Sequence, residues 1–190
     1  PGGKWRFDAL AETIRETLCA AGYVEIGYDH YARTDDFYAI AAQDGVLERN
    51  FQGFVETSGE ALIGLGPSAI STLPQGYAQN EAEVGAWRAA IMGGTFASGR
   101  GRRLTGEDRL RRDLIMRLLC DFELDLARYG GAAAFTAELE AIRPLERDGL
   151  VVIAGESVRI PPKARAFVRL VAQEFDLYRN REAAKHSAAI

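Results

Sequence analysis

The sequence is poor in cysteine and contains no long apolar run. Only Cys19 and Cys120 are present, each within an apolar helical pattern in which a free thiol packs as a small core residue. Two cysteines provide neither a disulfide framework nor a metal site, and no stretch of about 18 apolar residues is available to span a membrane. The start PGGKWRFD also lacks the features of a secretory signal. We therefore expect a cytoplasmic chain with no metal ligands of its own and no membrane contact.

Basic residues are not in excess, since the net charge is −4. A negative balance disfavours general binding to nucleic acid. The composition, 47% hydrophobic and 26% charged, predicts a folded chain rather than a disordered one. The opening Pro-Gly-Gly, without an initiator methionine, indicates a piece of a longer protein.

Helix and strand patterns alternate in the first half of the chain. The stretch DALAETIRETLCAAG predicts a helix with Asp8 as N-cap and Gly22 as its stop, and YVEIGY predicts a strand. A second helix is predicted up to Gly45, then short strands in NFQGFV and ALIGLG. Asn80 and Glu83 have the spacing of a capping box for a third helix. This alternation is typical of βα units around a parallel sheet.

The second half predicts a different arrangement. FASGRGRR is basic and contains glycine, which predicts an exposed stretch. Thr105 is placed to cap a helix with one apolar face. A further helix, a hairpin with its turn at 154–157 and a helix starting at two prolines follow, as in a small winged-helix-like domain. We predict an α/β chain divided near residue 96 into the segments 1–96 and 97–190.

The glycine-rich stretch GLGPSA matches no phosphate-binding motif. It lacks the third glycine of the dinucleotide fingerprint and the lysine of a P-loop. One interpretation is a corner at which Gly66 and Pro67 turn the chain. The other is that Gly64 and Gly66 let a flat ligand approach the backbone, with Ile70 as apolar cover. The two interpretations are compatible.

Two further stretches contain candidate site residues. Asp29 and His30 follow a predicted strand, where ligands bind in α/β proteins, although local capping and ion pairing is the alternative. Phe51 offers a stacking surface, and the Gln52 side chain can both donate and accept hydrogen bonds, which suits a nucleobase-like ring. The alternative for Gln52 is a strand end at which its amide bonds the backbone.

Arginines are concentrated between residues 100 and 117. Arginine forms bidentate pairs with carboxylates and phosphates, so these side chains are candidate anion ligands. Pairing with acidic residues of the same helix is the alternative. The candidates for a carboxylate ligand are Arg100, Arg102, Arg103 and Arg112.

Three separate blocks carry a resemblance to a known family. GYDHYAR, RNFQGF and GLGPSAIS stand in the same order and at the same spacing as in the oxygen-independent coproporphyrinogen III oxidases, which are radical S-adenosylmethionine enzymes of haem synthesis. With less specificity the resemblance extends through RRDLIMRLLCDFELD and LERDGLV. The related haem chaperones, an alternative assignment, typically lack the Phe-Gln block.

The resemblance implies a partial (β/α) barrel, a [4Fe-4S] cluster on a C-x3-C-x2-C motif and S-adenosylmethionine. In that family a 5′-deoxyadenosyl radical abstracts hydrogen from propionates of coproporphyrinogen III, two of which become vinyl groups. The matching positions beside an S-adenosylmethionine are Phe51, Gln52 and Ile70, and the adjoining loop contains Gly64, Gly66 and Ala69.

The cluster motif is absent from this sequence. The chain therefore resembles the C-terminal part of such an oxidase, which we expect to be inactive alone and to work with an N-terminal barrel part in cis, the whole being a monomer. The competing interpretation of residues 97–190 as a winged-helix nucleic-acid binder is disfavoured by acidic residues in the candidate recognition helix. These are Glu138, Glu140, Glu146 and Asp148.

Overall fold

The computed structural model describes residues 4–51, 53–56 and 59–179, so Gln52 lies outside the described residues. Helix α1 (Lys4–Ala20) ends just before Gly22, whose φ of 85° is accessible to glycine, as predicted. The predicted start is wrong because residue 8 lies inside α1. The prediction that both cysteines pack in the core is wrong for Cys19, which is exposed, and correct for Cys120, which is buried.

The first two strands form a hairpin. Strand β1 (Tyr23–Ile26) pairs antiparallel with β2 (His30–Arg33), and Ile26 lies opposite His30. Helix α2 (Phe37–Gln43) follows, and the Asp36 carboxylate caps it by accepting the backbone N–H of Tyr38. The sequence DHYAR is therefore strand from His30 onward, whereas the sequence analysis placed Asp29 and His30 after a strand.

The remaining strands of the first half are also antiparallel. Strand β3 (Glu48–Arg49) pairs with β4 (Phe54–Val55), and β5 (Ile70–Leu73), β6 (Gly76–Asn80) and β7 (Ser98–Arg103) form a three-stranded sheet. All strand ladders among the described residues are antiparallel, so the predicted parallel sheet does not form within them. The connections within the β1–β2, β3–β4 and β5–β6 pairs are too short for the crossover that parallel strands need.

The basic stretch around residue 100 forms strand β7, and its residues are exposed as predicted. Because β7 pairs with β6, the sheet contains residues from both sides of position 96. The division at that position stays a prediction.

Helix α3 (Val84–Met92) begins later than predicted. Asn80 is the last residue of β6, and Glu83 itself is the N-cap, accepting the backbone N–H groups of Gly85 and Ala86. The capping box predicted for Asn80 and Glu83 is therefore wrong. The helix ends at Gly93, as predicted.

Helix α4 (Gly106–Asp121) starts at the predicted cap. The Thr105 hydroxyl accepts the backbone N–H of Asp108, and the Asp108 carboxylate accepts the backbone N–H of Thr105, which completes a capping box. Leu114 and Leu118 are fully buried on the predicted apolar face.

The second half has the predicted order of helix, helix, hairpin and helix. The hairpin turn also falls at the predicted position, and a 3₁₀ segment containing Pro162 precedes the last helix. The elements are β8 (Glu123–Asp125), α5 (Thr136–Arg147), β9 (Val152–Ala154), β10 (Ser157–Arg159) and α6 (Val168–Ala172). None of the helices in the described residues has the length and hydrophobicity to cross a membrane.

Two hydrophobic cores meet at α4. The larger core packs α4 against the second half of the chain and includes Leu118, Ile142 and Phe175. The smaller core packs Ile26 and Leu47 against Cys120 of the same helix. Helix α4 therefore joins the two halves of the chain.

Truncation of Leu118 to alanine is expected to lower the free energy of unfolding by about 3 kcal/mol, since this side chain has 0% exposure and its loss leaves a cavity. Urea denaturation measures the change. The matched control is Leu65→Ala, whose side chain is 88% exposed and whose truncation is expected to change the free energy by less than about 0.5 kcal/mol. Equal losses in the two variants would contradict the assignment of Leu118 to the core.

Candidate functional site

Of two adjoining cavities, the larger lies between α4 and the β5-β6-β7 sheet, and the smaller lies beside the start of β5. The larger has a volume of about 650 Å³ and the smaller about 200 Å³. Both are lined by Asn50, Phe51 and Leu62, which therefore form the wall between them. A concave site with apolar walls and a few converging polar groups is the usual form of a small-molecule site.

Helix α4 supplies one wall of the larger cavity with a single face. Its lining residues follow the helical repeat of three and four positions, so they project from one side of the helix. This face adjoins the one in the larger core, against which Ile115 and Leu119 also pack, and sequence analysis identified only the core face. The cavity face comprises Asp108, Arg111, Arg112, Ile115, Met116 and Leu119.

The smaller cavity collects three of the residues predicted to hold a cofactor. Phe51, Ala69 and Ile70 all line it, although Phe51 is more than 15 positions away in sequence from the other two. The Phe51 ring is 61% exposed and lies edge-on to the Tyr77 ring, with centroids 5.3 Å apart. An exposed ring beside a small cavity is available for stacking on a flat ligand.

The glycine loop between Leu62 and β5 is fixed by Asn80. The Asn80 side-chain amide donates to the carbonyl oxygens of Gly64 at 3.2 Å and Gly66 at 2.9 Å, and its backbone N–H donates to the Ala69 carbonyl at 3.0 Å. The Gly64 N–H in turn donates to the buried Ser71 hydroxyl at 3.0 Å. These bonds hold Ala69 and Ile70 in the wall of the smaller cavity.

The backbone geometry explains why Gly64 and Gly66 of this loop are glycines. A Cβ at Gly64 would lie 2.9 Å from the carbonyl carbon of Ile70, and Gly66 has φ +100°. The turn interpretation of this loop is thus supported by the geometry, and it leaves the ligand interpretation open. The apolar residues on either side of Gly64 are exposed, Ile63 by 64% and Leu65 by 88%. The buried strand predicted for ALIGLG is therefore wrong.

Asp29 and His30 form a pair on the surface hairpin. Nδ1 of His30 lies 2.6 Å from a carboxylate oxygen of Asp29, and the His30 ring packs edge-on against Phe54 at 5.2 Å. Neither residue is in the lining of the two cavities in the described part of the chain. Local pairing, the alternative weighed from the sequence, accounts for their contacts, with histidine rather than arginine as the partner of Asp29.

The four predicted carboxylate ligands separate into two groups. Arg102 and Arg112 line the larger cavity, each against an aromatic ring: Tyr178 at 3.9 Å and Tyr77 at 5.8 Å from guanidinium carbon to ring centroid. Arg100 instead donates to the Gln79 side chain at 2.6 Å. Arg103, the next residue along β7 from Arg102, faces the other side of the strand and is exposed.

Sequence analysis missed several residues of the larger cavity. Arg49 is one, although it stands inside the quoted block RNFQGF, and Tyr77 and Tyr178 are the others that the arginines contact. A signal was present for Arg49, because basic residues beside an aromatic block are typical of anion sites. Tyr178 gave no signal, since its contacts join positions 70 or more apart.

The C-terminal end of the described chain is attached to the start of α4. The Tyr178 hydroxyl donates to one Asp108 carboxylate oxygen at 2.6 Å, while the other oxygen accepts from the backbone N–H and hydroxyl of Thr105. The Tyr178 hydroxyl and then the Thr105 donors hold the pKa of Asp108 at about 2. This carboxylate therefore stays ionised in neutral solution and keeps Tyr178 at the cavity.

The cysteines of this chain do not fit an iron–sulfur cluster. Cys19 is exposed on α1, and burial raises the pKa of the Cys120 thiol to about 12, so the thiolate that a cluster needs is disfavoured. Among the described residues there is also no group of three or more His, Cys, Asp or Glu side chains placed to hold a metal ion.

The Asn80 bonds can be tested through the loop. In Asn80→Ala the amide of Ser68, which donates to the Glu81 carbonyl, is expected to exchange its hydrogen about tenfold faster, because two hydrogen bonds to the loop are lost. Hydrogen exchange measured by NMR reports the rate. In the control Gln75→Ala, at an exposed turn, the rate should not change; an unchanged rate in Asn80→Ala would show that Asn80 does not hold the loop.

The Asp108 interactions predict a pH dependence. The folded pKa of about 2 lies below the ordinary value of 3.8, so the stabilisation is present above about pH 5 and is lost as the pH falls from there toward 2. The difference in urea midpoint between the unmodified chain and Asp108→Asn is therefore expected to shrink between about pH 7 and about pH 3. Asp148→Asn, at an exposed carboxylate, serves as the control. A difference that stays constant over this range would exclude the ionised carboxylate as its source.

Known proteins have sequences similar to this chain. Residues 104–167 match the model of the HemN C-terminal domain. The whole chain aligns with the oxygen-independent coproporphyrinogen III oxidase of Bradyrhizobium diazoefficiens at 41% sequence identity, and the alignment covers 43% of that protein. With the enzyme of the same name from Paracoccus denitrificans the identity is 43%, and the alignment covers 42% of that protein. The chain thus spans less than half the length of these relatives.

A solved structure gives the same result. The coproporphyrinogen III oxidase (HemN) from Escherichia coli, described as a radical SAM enzyme, superposes on 94% of this chain with a TM-score of 0.84 and 38% sequence identity. The match covers 42% of that structure. The predicted α/β fold class, with part of a radical SAM barrel followed by a helical domain, is confirmed by this superposition. The chain is similar in sequence and structure to the C-terminal part of the oxygen-independent coproporphyrinogen III oxidases.

Proposed function

We propose that this chain supplies the C-terminal wall of an oxygen-independent coproporphyrinogen III oxidase. The observation that carries the proposal is the smaller cavity, where Phe51, Ala69 and Ile70 meet beside the larger, arginine-containing cavity. The reaction proposed for the complete protein is the oxidative decarboxylation of two propionates of coproporphyrinogen III to vinyl groups.

S-adenosylmethionine is the ligand that we assign to the smaller cavity. Its adenine is flat and it has no phosphate, which suits a loop with exposed backbone and no lysine. Phe51 would stack on the adenine and Ile70 would cover it, while Asn80 holds the loop that positions Ile70. Gln52, outside the described residues, is proposed to hydrogen-bond the same ligand.

The larger cavity is proposed to hold the tetrapyrrole. Its walls combine Tyr77, Leu104 and Ile115 with arginines, and such a mixture suits a ring with an apolar body and anionic side chains. Arg102 and Arg112 are the predicted ligands that line this cavity. We assign Arg100 to the Gln79 contact and leave Arg103 outside the site.

The complete enzyme needs groups that this chain does not provide. A [4Fe-4S] cluster, with ligands in a barrel segment N-terminal to these residues, would supply the radical chemistry together with S-adenosylmethionine. Segments 1–96 and 97–190 would then serve as barrel part and cover, in a cytoplasmic, monomeric protein. The side chains described here bind, orient and exclude water.

Replacement of Phe51 by alanine tests the cofactor assignment. Loss of a stacking ring is expected to weaken binding of S-adenosylhomocysteine, a stable analogue of S-adenosylmethionine, by about tenfold, as measured by isothermal titration calorimetry. The control is Phe37→Ala, since Phe37 has a similar exposure of 55% and contacts Tyr38 rather than either cavity.

Three results are informative. Weaker binding in Phe51→Ala alone supports the assignment. Equal affinity in the unmodified chain and Phe51→Ala would remove Phe51 from the site. No binding to the unmodified chain, with the fold intact by circular dichroism, would contradict the proposal that the smaller cavity in this chain holds the cofactor.

A further inference from the structure

Arg49 lies in the wall of the larger cavity in an unusual environment. Its guanidinium carbon is 5.5 Å from the Tyr28 ring centroid and 5.6 Å from that of Phe54. Its backbone N–H contacts the Met116 sulfur of α4 at 3.1 Å, which ties β3 to the helix. Its Nε is shielded from solvent and has no hydrogen-bond partner among the described residues.

Arg165 is a comparable arginine that has a carboxylate partner. Its guanidinium also lies over a ring, that of Phe122 at 4.4 Å, and its Nε is likewise buried without a hydrogen-bond partner among the described residues. Arg165, however, donates to the Glu25 carboxylate at 2.8 Å. Arg49 has the ring contacts without the carboxylate, and no ion pair forms at Arg49 within the described ranges.

The same pattern recurs around the larger cavity. Arg102 and Arg112 lie over Tyr178 and Tyr77, and neither forms an ion pair with a described carboxylate within 4.0 Å. Arg111, beside them on α4, is instead neutralised by Glu107 and Glu138. Three arginines from β3, β7 and α4 thus line one cavity, each oriented by an aromatic ring.

The acidic residues of the cavity do not neutralise these arginines. Asp108 is occupied by Tyr178 and Thr105, and Asp176 accepts the backbone N–H of Tyr178. Glu60 is exposed at the rim. The charge of Arg102 contributes to the lowered pKa of Asp108, but none of the three arginines forms an ion pair within 4.0 Å with a carboxylate of the described residues.

A buried guanidinium N–H without an acceptor is costly, and an incoming carboxylate removes that cost. The planar guanidinium offers two parallel donors to one carboxylate, and the aromatic rings fix its plane before a ligand arrives. A lysine could supply neither property.

We propose that Arg49 is a carboxylate-binding residue of the larger cavity and that it acts with Arg102 and Arg112 as a receptor for a polycarboxylic ligand. The class of ligand follows from three separate cationic groups around one apolar cavity. Its identity as a propionate-bearing tetrapyrrole rests on the proposed function.

The test measures binding of coproporphyrin III, the stable oxidised form of the tetrapyrrole, by fluorescence titration of the full chain. The tetramethyl ester of the same porphyrin, which has no ionised carboxylate, is the control ligand. Arg49→Gln is expected to weaken binding of the acid by about tenfold or more, the usual effect of losing a charge-assisted hydrogen bond. Arg159→Gln, which removes an exposed arginine of β10, is expected to change it by less than about twofold.

A second variant, Arg49→Lys, distinguishes loss of the binding group from loss of the fold. Arg49→Lys keeps the charge and loses the planar fork, so its affinity should fall between those of the unmodified chain and Arg49→Gln. Circular dichroism checks that both variants are folded. Unchanged affinity in Arg49→Gln, equal weakening in Arg159→Gln, or equal binding of the ester and the acid would each overturn the inference.

A simpler anion separates this inference from the proposed function. Benzene-1,2,4,5-tetracarboxylate offers carboxylates without a tetrapyrrole ring, and its binding is measured by calorimetry. One outcome is that the tetracarboxylate binds the unmodified chain, binds Arg49→Gln more weakly, and coproporphyrin III does not bind. That outcome would support the arginine site and contradict the assignment of the tetrapyrrole to it. If neither ligand binds, the arginine site is overturned.

Discussion

The packing of α4 on three sides is the constraint on which the rest of the structure depends. One face, with Leu114 and Leu118, lies in the larger core, and Cys120 enters the smaller core. The third face forms a wall of the larger cavity. The capping box of Thr105 and Asp108 fixes where the helix begins, and so fixes the position of every side chain on all three faces.

Hydrogen bonds that hold the surrounding loop and chain end determine the shapes of the two cavities. Asn80, at the open end of the β5–β6 hairpin, holds the glycine loop through two carbonyls, and Tyr178 attaches the C-terminal end to the start of α4 through Asp108. Aromatic rings then orient the arginines without neutralising them. A cavity built in this way is ordered before a ligand enters, which reduces the entropy lost on binding.

Local patterns in the sequence predicted much of the second half. Helix α4, its Thr105 cap, the hairpin turn and the winged-helix-like order all follow from caps, turn residues and helical repeats. Strand partners were predicted less well, because pairing depends on distant residues that a local window does not contain. The exposed basic strand β7 is an example, since pairing with β6 decides its conformation.

The sequence by itself indicated the resemblance to the oxidases, through three short blocks, and placed Phe51, Ile70 and the glycine loop among the candidate site residues. Tertiary structure alone decided which arginines face the larger cavity: Arg102 does, whereas the neighbouring Arg103 does not. It also brought in Arg49, whose unpaired Nε is visible only when its surroundings are assembled. The physical reason is that the burial of a side chain and the lack of a partner for it depend on neighbours that are far apart in the chain. Composition and spacing do not reveal these neighbours.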